Sequence, residues 1–313
     1  MSSPEPRYMG GQAVVEGVMM RGARTWAVAV RDPDGHIEVA THDVPNWSER
    51  WVKVPVVRGV MALAESLGLG FKALGWSAER QVPEDERISS RAMGWTMAIA
   101  LIFFTAVFIL LPSLVNRGAS DALGVSGFAY HLLEGAIRLA IFIGYLVLIA
   151  QLKDIKRVFE YHGAEHKAIA AYENGAELTP ESAQRFSTEH VRCGTNFLLT
   201  VRLVTIVVYA FVGRPSLPWM IVSRIVLIPV IAGLSYEVIR FAAKHMDKRW
   251  VRVLMRPGLA LQRLTTRQPS LDQLEVAIVS LRAAMTAEQL AEVAARSTTP
   301  TIAPGTRPAL GTA

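Results

Sequence analysis

Apolar residues in this chain are gathered into blocks. Residues 94–115 form an uncharged run of 22, which at about 1.5 Å per residue spans roughly 30 Å of hydrocarbon. Further apolar runs cover about 128–152, 196–213 and 217–236, each carrying isolated charges. The pattern predicts four membrane-spanning helices within 94–236, interrupted by a polar connector at 153–195. Upstream, residues 10–44 alternate as strands do: Trp26–Val30 and Ile37–Thr41 flank Asp32-Pro-Asp-Gly35, a turn sequence. Region 1–54 therefore reads as a small β-hairpin region, in the plainest reading a β-ribbon with no chemistry. Within 55–93, Val57, Val60, Met61, Ala64, Leu67, Leu69 and Leu74 mark a helix that lies in the membrane interface or packs on the bundle, followed by polar residues 81–91. Residues 237–296 read as cytoplasmic C-terminal helices. Pro257-Gly258 is expected to break them, and Ser270 and Thr286 have the look of N-caps with Gln three residues later. Leu271, Leu274, Ile278, Leu281 and Met285 follow helical spacing and should pack on the body. Residues 297–313, rich in Thr, Pro, Ala and Gly, read as a disordered tail. The expected fold class is mainly α: a polytopic membrane bundle of about four spans with a small N-terminal β region.

Charge sets the orientation. Residues 1–93 hold eleven Lys/Arg and the 153–195 connector six, against Arg117 and Arg214 in the two short connectors. The positive-inside bias places both termini and the long connector in the cytoplasm, at a cell membrane. Trp95 and Trp219 fall near span ends, where indoles are favoured. The first forty residues lack the apolar core of a cleavable signal peptide. The pI near 9.6 then reflects this bias and contact with anionic membrane lipid rather than nucleic acid. Cys193 is the only cysteine, so no intrachain disulfide exists and its thiol is free to ligate metal.

The chemistry concentrates in the connector. His162, Glu165 and His166 form H-x-x-E-H; on a helix these positions share one face, with Cβ atoms about 5–6 Å apart. Two imidazoles and a carboxylate so placed suit a divalent metal and a general base, in the inverted order of the H-E-x-x-H zinc-protease helix. His190 and Cys193 supply two further soft donors near the mouth of the third span. A catalytic zinc takes three protein ligands and leaves one position open, so the expected set is His162, His166 and one of His190 or Cys193, with Glu173 a competing third ligand. Glu165 would be the general base toward a water on the metal. The bland alternative is a solvated polar helix face beside the headgroups. His and Cys favour zinc; His with Glu would also suit iron or manganese.

Charges inside the spans add a second pattern. Glu134 and Arg138 lie one turn apart in the second span, where a pair softens the cost of burial, and Arg224 could join them. Arg202 and Glu237 fall near the leaflet of the connector and could pair with each other. Snorkelling to headgroups is the alternative for both arginines, Arg138 and Arg202. Gly10-Gly11-Gln12 matches the tripeptide of release factors, and three residues in an unrelated chain read as coincidence.

Taken together, Gly10–Arg21, Glu160–Lys167, His190–Thr195, Ser235–Glu237 and Pro257–Thr266 resemble the blocks of the YqhQ-like family of bacterial multi-pass membrane proteins, regarded as metal-dependent enzymes. The resemblance covers about 9–296. One departure is Val191, where the family pattern leads one to expect proline. The resemblance implies no substrate, but it points to Glu16 or Arg21 near the site. The leading expectation is a cytoplasm-facing membrane metalloenzyme, a hydrolase of a peptide, lipid or lipid-linked substrate. Arg21, Arg192 or Arg202 would hold an anionic group. The alternative is a non-enzymatic membrane scaffold or regulatory protein with a structural metal or none; a transporter ranks third, because Gly/Pro-broken spans are not obvious. A homo-oligomer is compatible with either.

Overall fold

The computed structural model describes residues 9–83, 89–190, 193–212 and 216–296. Its N-terminal part is an antiparallel meander in the order β1 (Gly10–Val14), β2 (Gly17–Arg21), β3 (Thr25–Arg31) and β4 (Ile37–Asp43). The expected hairpin is β3–β4, closing at Arg31 opposite Ile37, and β1 and β2 extend it to four strands. The sheet is covered on both faces, because both sets of alternating residues are apolar. Val18, Met20, Ala27 and Ala29 face helices α5 (Lys153–Glu173) and α11 (Leu271–Ala283). Val14, Met19, Trp26, Val28 and Val30 face Leu69 and Ala73 of α1 (Val57–Glu79). The connector helix is thus part of a core and is not a solvated face: Ala164, Ala168 and Tyr172 are fully buried.

The apolar helices follow. α2 (Ser90–Thr105) passes through a π-helical turn at Ala106–Leu110 into α3 (Leu111–Leu123), so the first apolar element runs Gly94–Leu123, beyond the run that predicted it. Among the described residues, α4 (Gly127–Ile149) and α7 (Gly194–Val212) are the other two helices long and apolar enough to cross a membrane; the short α6 (Pro180–Ala183) lies in the connector between them. The expected fourth span is not one straight helix. It is a pair, α8 (Leu217–Val226) and α9 (Ile228–Lys244), bent by 43°. Pro229, in the first turn of α9, has no N–H to continue the ladder across that break. Large side chains such as Ile99, Leu101, Ile102 and Phe211 point outward from these helices, which suits a hydrocarbon surround better than water.

At the C-terminus, α10 (Arg249–Thr265) runs through Pro257 without the expected break. Gly258 has a packing role: a Cβ there would collide with Asn196 Oδ1, so the glycine lets α10 lie against the start of α7. Ser270 forms the expected capping box with Gln273, and Thr286 and Gln289 exchange the same bonds at α12 (Ala287–Arg296). Leu274, Ile278, Leu281 and Met285 are buried as their spacing requires, but Leu271, in the first turn of α11, is exposed.

Candidate metal centre

Helix α5 presents His162, Glu165 and His166 on one face. Two close approaches fix where that face sits. At Gly163 a Cβ would meet the Arg267 carbonyl, and Arg267 N–H donates to Phe159 O at 2.9 Å, so α5 is held against the end of α10. At Gly11 a Cβ would lie 2.7 Å from Glu165 Cγ, so β1 closes over the glutamate. Gln12, next in the strand, rests on Gly70 of α1. The Gly-Gly-Gln tripeptide therefore has a packing role here.

Both histidines are oriented through Nδ1. His162 Nδ1–H donates to Thr265 O at 2.8 Å, and His166 Nδ1–H donates to Thr188 O. That assignment leaves each Nε2 as a lone pair, the arrangement in which a backbone carbonyl fixes the tautomer of a metal-binding imidazole. Cys193 completes the cluster. Its Sγ lies 3.4 Å from His162 Nε2, and donor atoms of His162, His166 and Cys193 all fall within 4.8 Å of one another. Tetrahedral zinc with Zn–N near 2.0 Å and Zn–S near 2.3 Å separates N from S by about 3.5 Å. The Cys193–His162 edge already has that length, and the triangle closes on an ion with about 1 Å of adjustment. Two imidazoles and one thiolate, with one open position, fit a zinc-class ion.

The electrostatics are those of a dry site. Burial pushes the Glu165 carboxyl up to about 8, although His162 opposes the shift, and among the described residues Glu165 accepts no hydrogen bond. Burial lowers His166 well below its ordinary value, with His162 next in effect. Burial also raises the Cys193 thiol, against the hydrogen bonds from Thr195. A dication would reverse the preferences of the carboxyl and the thiol and reinforce that of His166, since it selects neutral imidazole, thiolate and carboxylate together.

The remaining candidates are divided by the fold. His190 lies beside the cluster, its ring 5.7 Å from that of His166, but its Nε2 is turned to Glu173 at 3.3 Å. Burial lowers His190 to about 4. Of the three competing third ligands, Cys193 is the one brought to the histidines. Glu16 accepts from Arg157 and from Tyr161 (3.4 Å), beside His162 in sequence but not among the metal donors. Arg21 is paired with buried Glu65 of α1 and is not at the site. Glu237 pairs with Arg58, not with Arg202, whose guanidinium lies 5.2 Å from the Phe142 ring centre. Arg192 falls outside the described residues.

Several supporting groups could not be found from motif spacing. Thr188 and Thr265 act through their carbonyls, which any residue possesses. Gln262 exchanges two 2.8 Å bonds with the backbone of His190. Lys167 donates to Gln184 O and Phe186 O, bracing the connector as it returns. The one clue to the α10 residues was the resemblance over Pro257–Thr266.

A family model described as a protein of unknown function, DUF1385, matches residues 54–287. The chain is 34% identical to the "Uncharacterized protein YqhQ" of Bacillus subtilis (strain 168) over 303 residues, 92% of this chain and 95% of that protein. No solved structure matches.

Proposed function

We propose that this chain, which belongs to the DUF1385 family of YqhQ-like proteins, is a membrane-embedded, metal-dependent hydrolase whose site faces the cytoplasm. The membrane part of the reading rests on three apolar helices and one bent pair, and the orientation on the excess of Lys/Arg in the N-terminal region and the 153–195 connector. One observation carries the metal part. Two imidazoles, each tied at Nδ1 to a backbone carbonyl, gather with a thiol that faces His162 Nε2, beside a buried carboxylate without a hydrogen bond.

His162, His166 and Cys193 would hold the ion, which when bound supplies Lewis acidity and brings the pKa of water toward about 7. Glu165 does the proton work. In the metal-free site its carboxyl keeps a proton at neutral pH, and neighbouring positive charge favours the ionised form. Ionised, it accepts a proton from the attacking water and returns it to the leaving group. The wall of β1 at Gly11 and the core beneath α5 keep bulk water from the carboxylate. Cys193 immediately precedes α7, the third apolar helix, so a substrate with a lipid or membrane-anchored portion would reach the site from the interface.

The test pairs metal content with hydrolysis by the detergent-purified protein over a panel of ester, peptide and phosphoester substrates. The reading expects about one metal per chain and Glu165→Gln retaining the metal while losing at least 100-fold in rate. Protein without metal, or Glu165→Gln with full activity, defeats it. One observation favours a second reading: His190, close to His166, could swing from Glu173 to close the site with a fourth ligand, giving a structural metal in a scaffold protein. His190→Ala would then release the metal, whereas the enzyme reading expects the metal to stay.

A further inference from the structure

A second cluster of ionisable groups lies inside the apolar helices, far along α4 from the connector. Glu134 accepts from Arg138 (2.7 Å), Ser113 (2.8 Å) and Arg224 (2.8 and 3.2 Å). Arg138 also donates to Phe108 O (2.9 Å) and Ile109 O (3.2 Å), carbonyls of the π-helical turn. The guanidinium of Arg224 lies 3.5 Å from the Tyr209 ring centre. One carboxylate therefore faces two guanidiniums, and none of the three residues is more than 4% exposed. A net positive charge buried among apolar helices is costly unless something compensates it. Stacking on Tyr209 spreads the charge without cancelling it.

The donors are not used up. Arg138 Nε and Arg224 Nη1 are buried and have no hydrogen-bond partner, and His131 Nδ1, a donor in one of the two tautomers of the ring, is unpartnered as well. Arg138 and His131, with Glu134, Thr205 and Tyr209, line a space of about 10 Å³ for the centre of an occupant, which is room for one small ion or molecule. We propose that this space is a binding site for a monatomic anion of the chloride class, which accepts from Arg138 Nε, selects the His131 tautomer that donates through Nδ1, and balances the surplus guanidinium. A water molecule would meet the donors and leave the charge. Phosphate, sulfate or a lipid headgroup is too large for the space. Gly135 is part of the same wall, and a Cβ there would press on the neighbouring wall residue at Ile206 Cδ1. The inference is independent of the metal centre.

The experiment is thermal unfolding of the full-length protein in detergent, titrated with sodium chloride or bromide against sodium gluconate at constant ionic strength. The wild type should be stabilised saturably by both halides. Arg138→Met should show no halide response. Gly135→Ala, which removes no charge, should raise the half-saturating halide concentration at least tenfold and carries the test if Arg138→Met does not fold. Crystals grown in bromide should give an anomalous peak between Arg138 and His131. Equal midpoints in chloride and gluconate for folded wild type, or a bromide response that Gly135→Ala leaves intact, overturns the proposal and assigns the space to water.

Discussion

Glu134 and Glu165 are both buried glutamates on long helices, and their surroundings differ at every point. Glu134 lies between two arginines and a serine, with both carboxylate oxygens engaged. Glu165 lies under Gly11 of β1 between two histidine positions and, among the described residues, accepts no hydrogen bond; burial holds its carboxyl near 8. A carboxylate with strong cationic partners on neighbouring elements joins helices together. A carboxyl left buried beside a thiol and two imidazoles, with no hydrogen bond to its oxygens, favours its neutral form, and it changes state when more positive charge arrives. The first arrangement suits architecture and the second suits chemistry.

Substitutions can break or sharpen this contrast. The largest effect is expected from Glu134→Leu, which strands two guanidiniums in an apolar bundle and should cost about 3–5 kcal/mol. Thermal or denaturant unfolding in detergent measures it, and the loss should be the same with or without added zinc. A silent Glu134→Leu would mean that the network contributes nothing to the bundle.

Glu165→Gln should act in the opposite direction on the metal-free protein. The folded value near 8 lies above the ordinary 4.5, so the folded state binds a proton that the unfolded chain releases. The stability carried by that proton is fully present below about 4.5 and is lost as pH rises through about 8. A glutamine is neutral throughout. Metal-free Glu165→Gln should therefore exceed wild type by about 2–3 kcal/mol at pH 8.5, less than the roughly 5 kcal/mol ceiling set by the full shift, and match it near pH 5. A difference that does not vary with pH would sever the link between burial and protonation.

A smaller effect should follow from Gln262→Ala, which removes both bonds to the His190 backbone. A stability loss of about 1–2 kcal/mol should accompany a 10-fold or greater weakening of zinc affinity, read by competition with a chelating dye. Unchanged affinity would show that the connector positions Cys193 without help from α10.

Much of this arrangement is legible in the sequence, and the reasons are local. Long apolar runs announce their helices, Asp32–Gly35 announces its turn, and H-x-x-E-H announces a shared face because helical spacing alone puts those residues together. What was not legible depends on close approach between distant segments. Gly11 over Glu165, Gly163 against Arg267 and Gly258 against Asn196 are glycines whose reason lies in another element. The choice of Cys193 over His190 is of the same kind, since it turns on where Glu173 stands. Arg21 and Glu237 misled for a related reason: each finds its partner, Glu65 and Arg58, on α1, whose packing against the sheet and α9 no periodicity fixes. The 43° bend between α8 and α9 escaped a hydropathy reading because the apolar run continues across it.

The central claim is a centre built by two histidines and one cysteine, and cobalt(II) substitution tests it most directly. Protein loaded with one equivalent of cobalt(II) should show intense visible d–d absorption of a tetrahedral ion together with a thiolate-to-metal charge-transfer band. Cys193→Ser should lose that band, while His162→Ala and His166→Ala should lose the d–d absorption. The weak spectrum of hydrated octahedral cobalt in folded wild type, or a charge-transfer band that survives Cys193→Ser, would contradict the account.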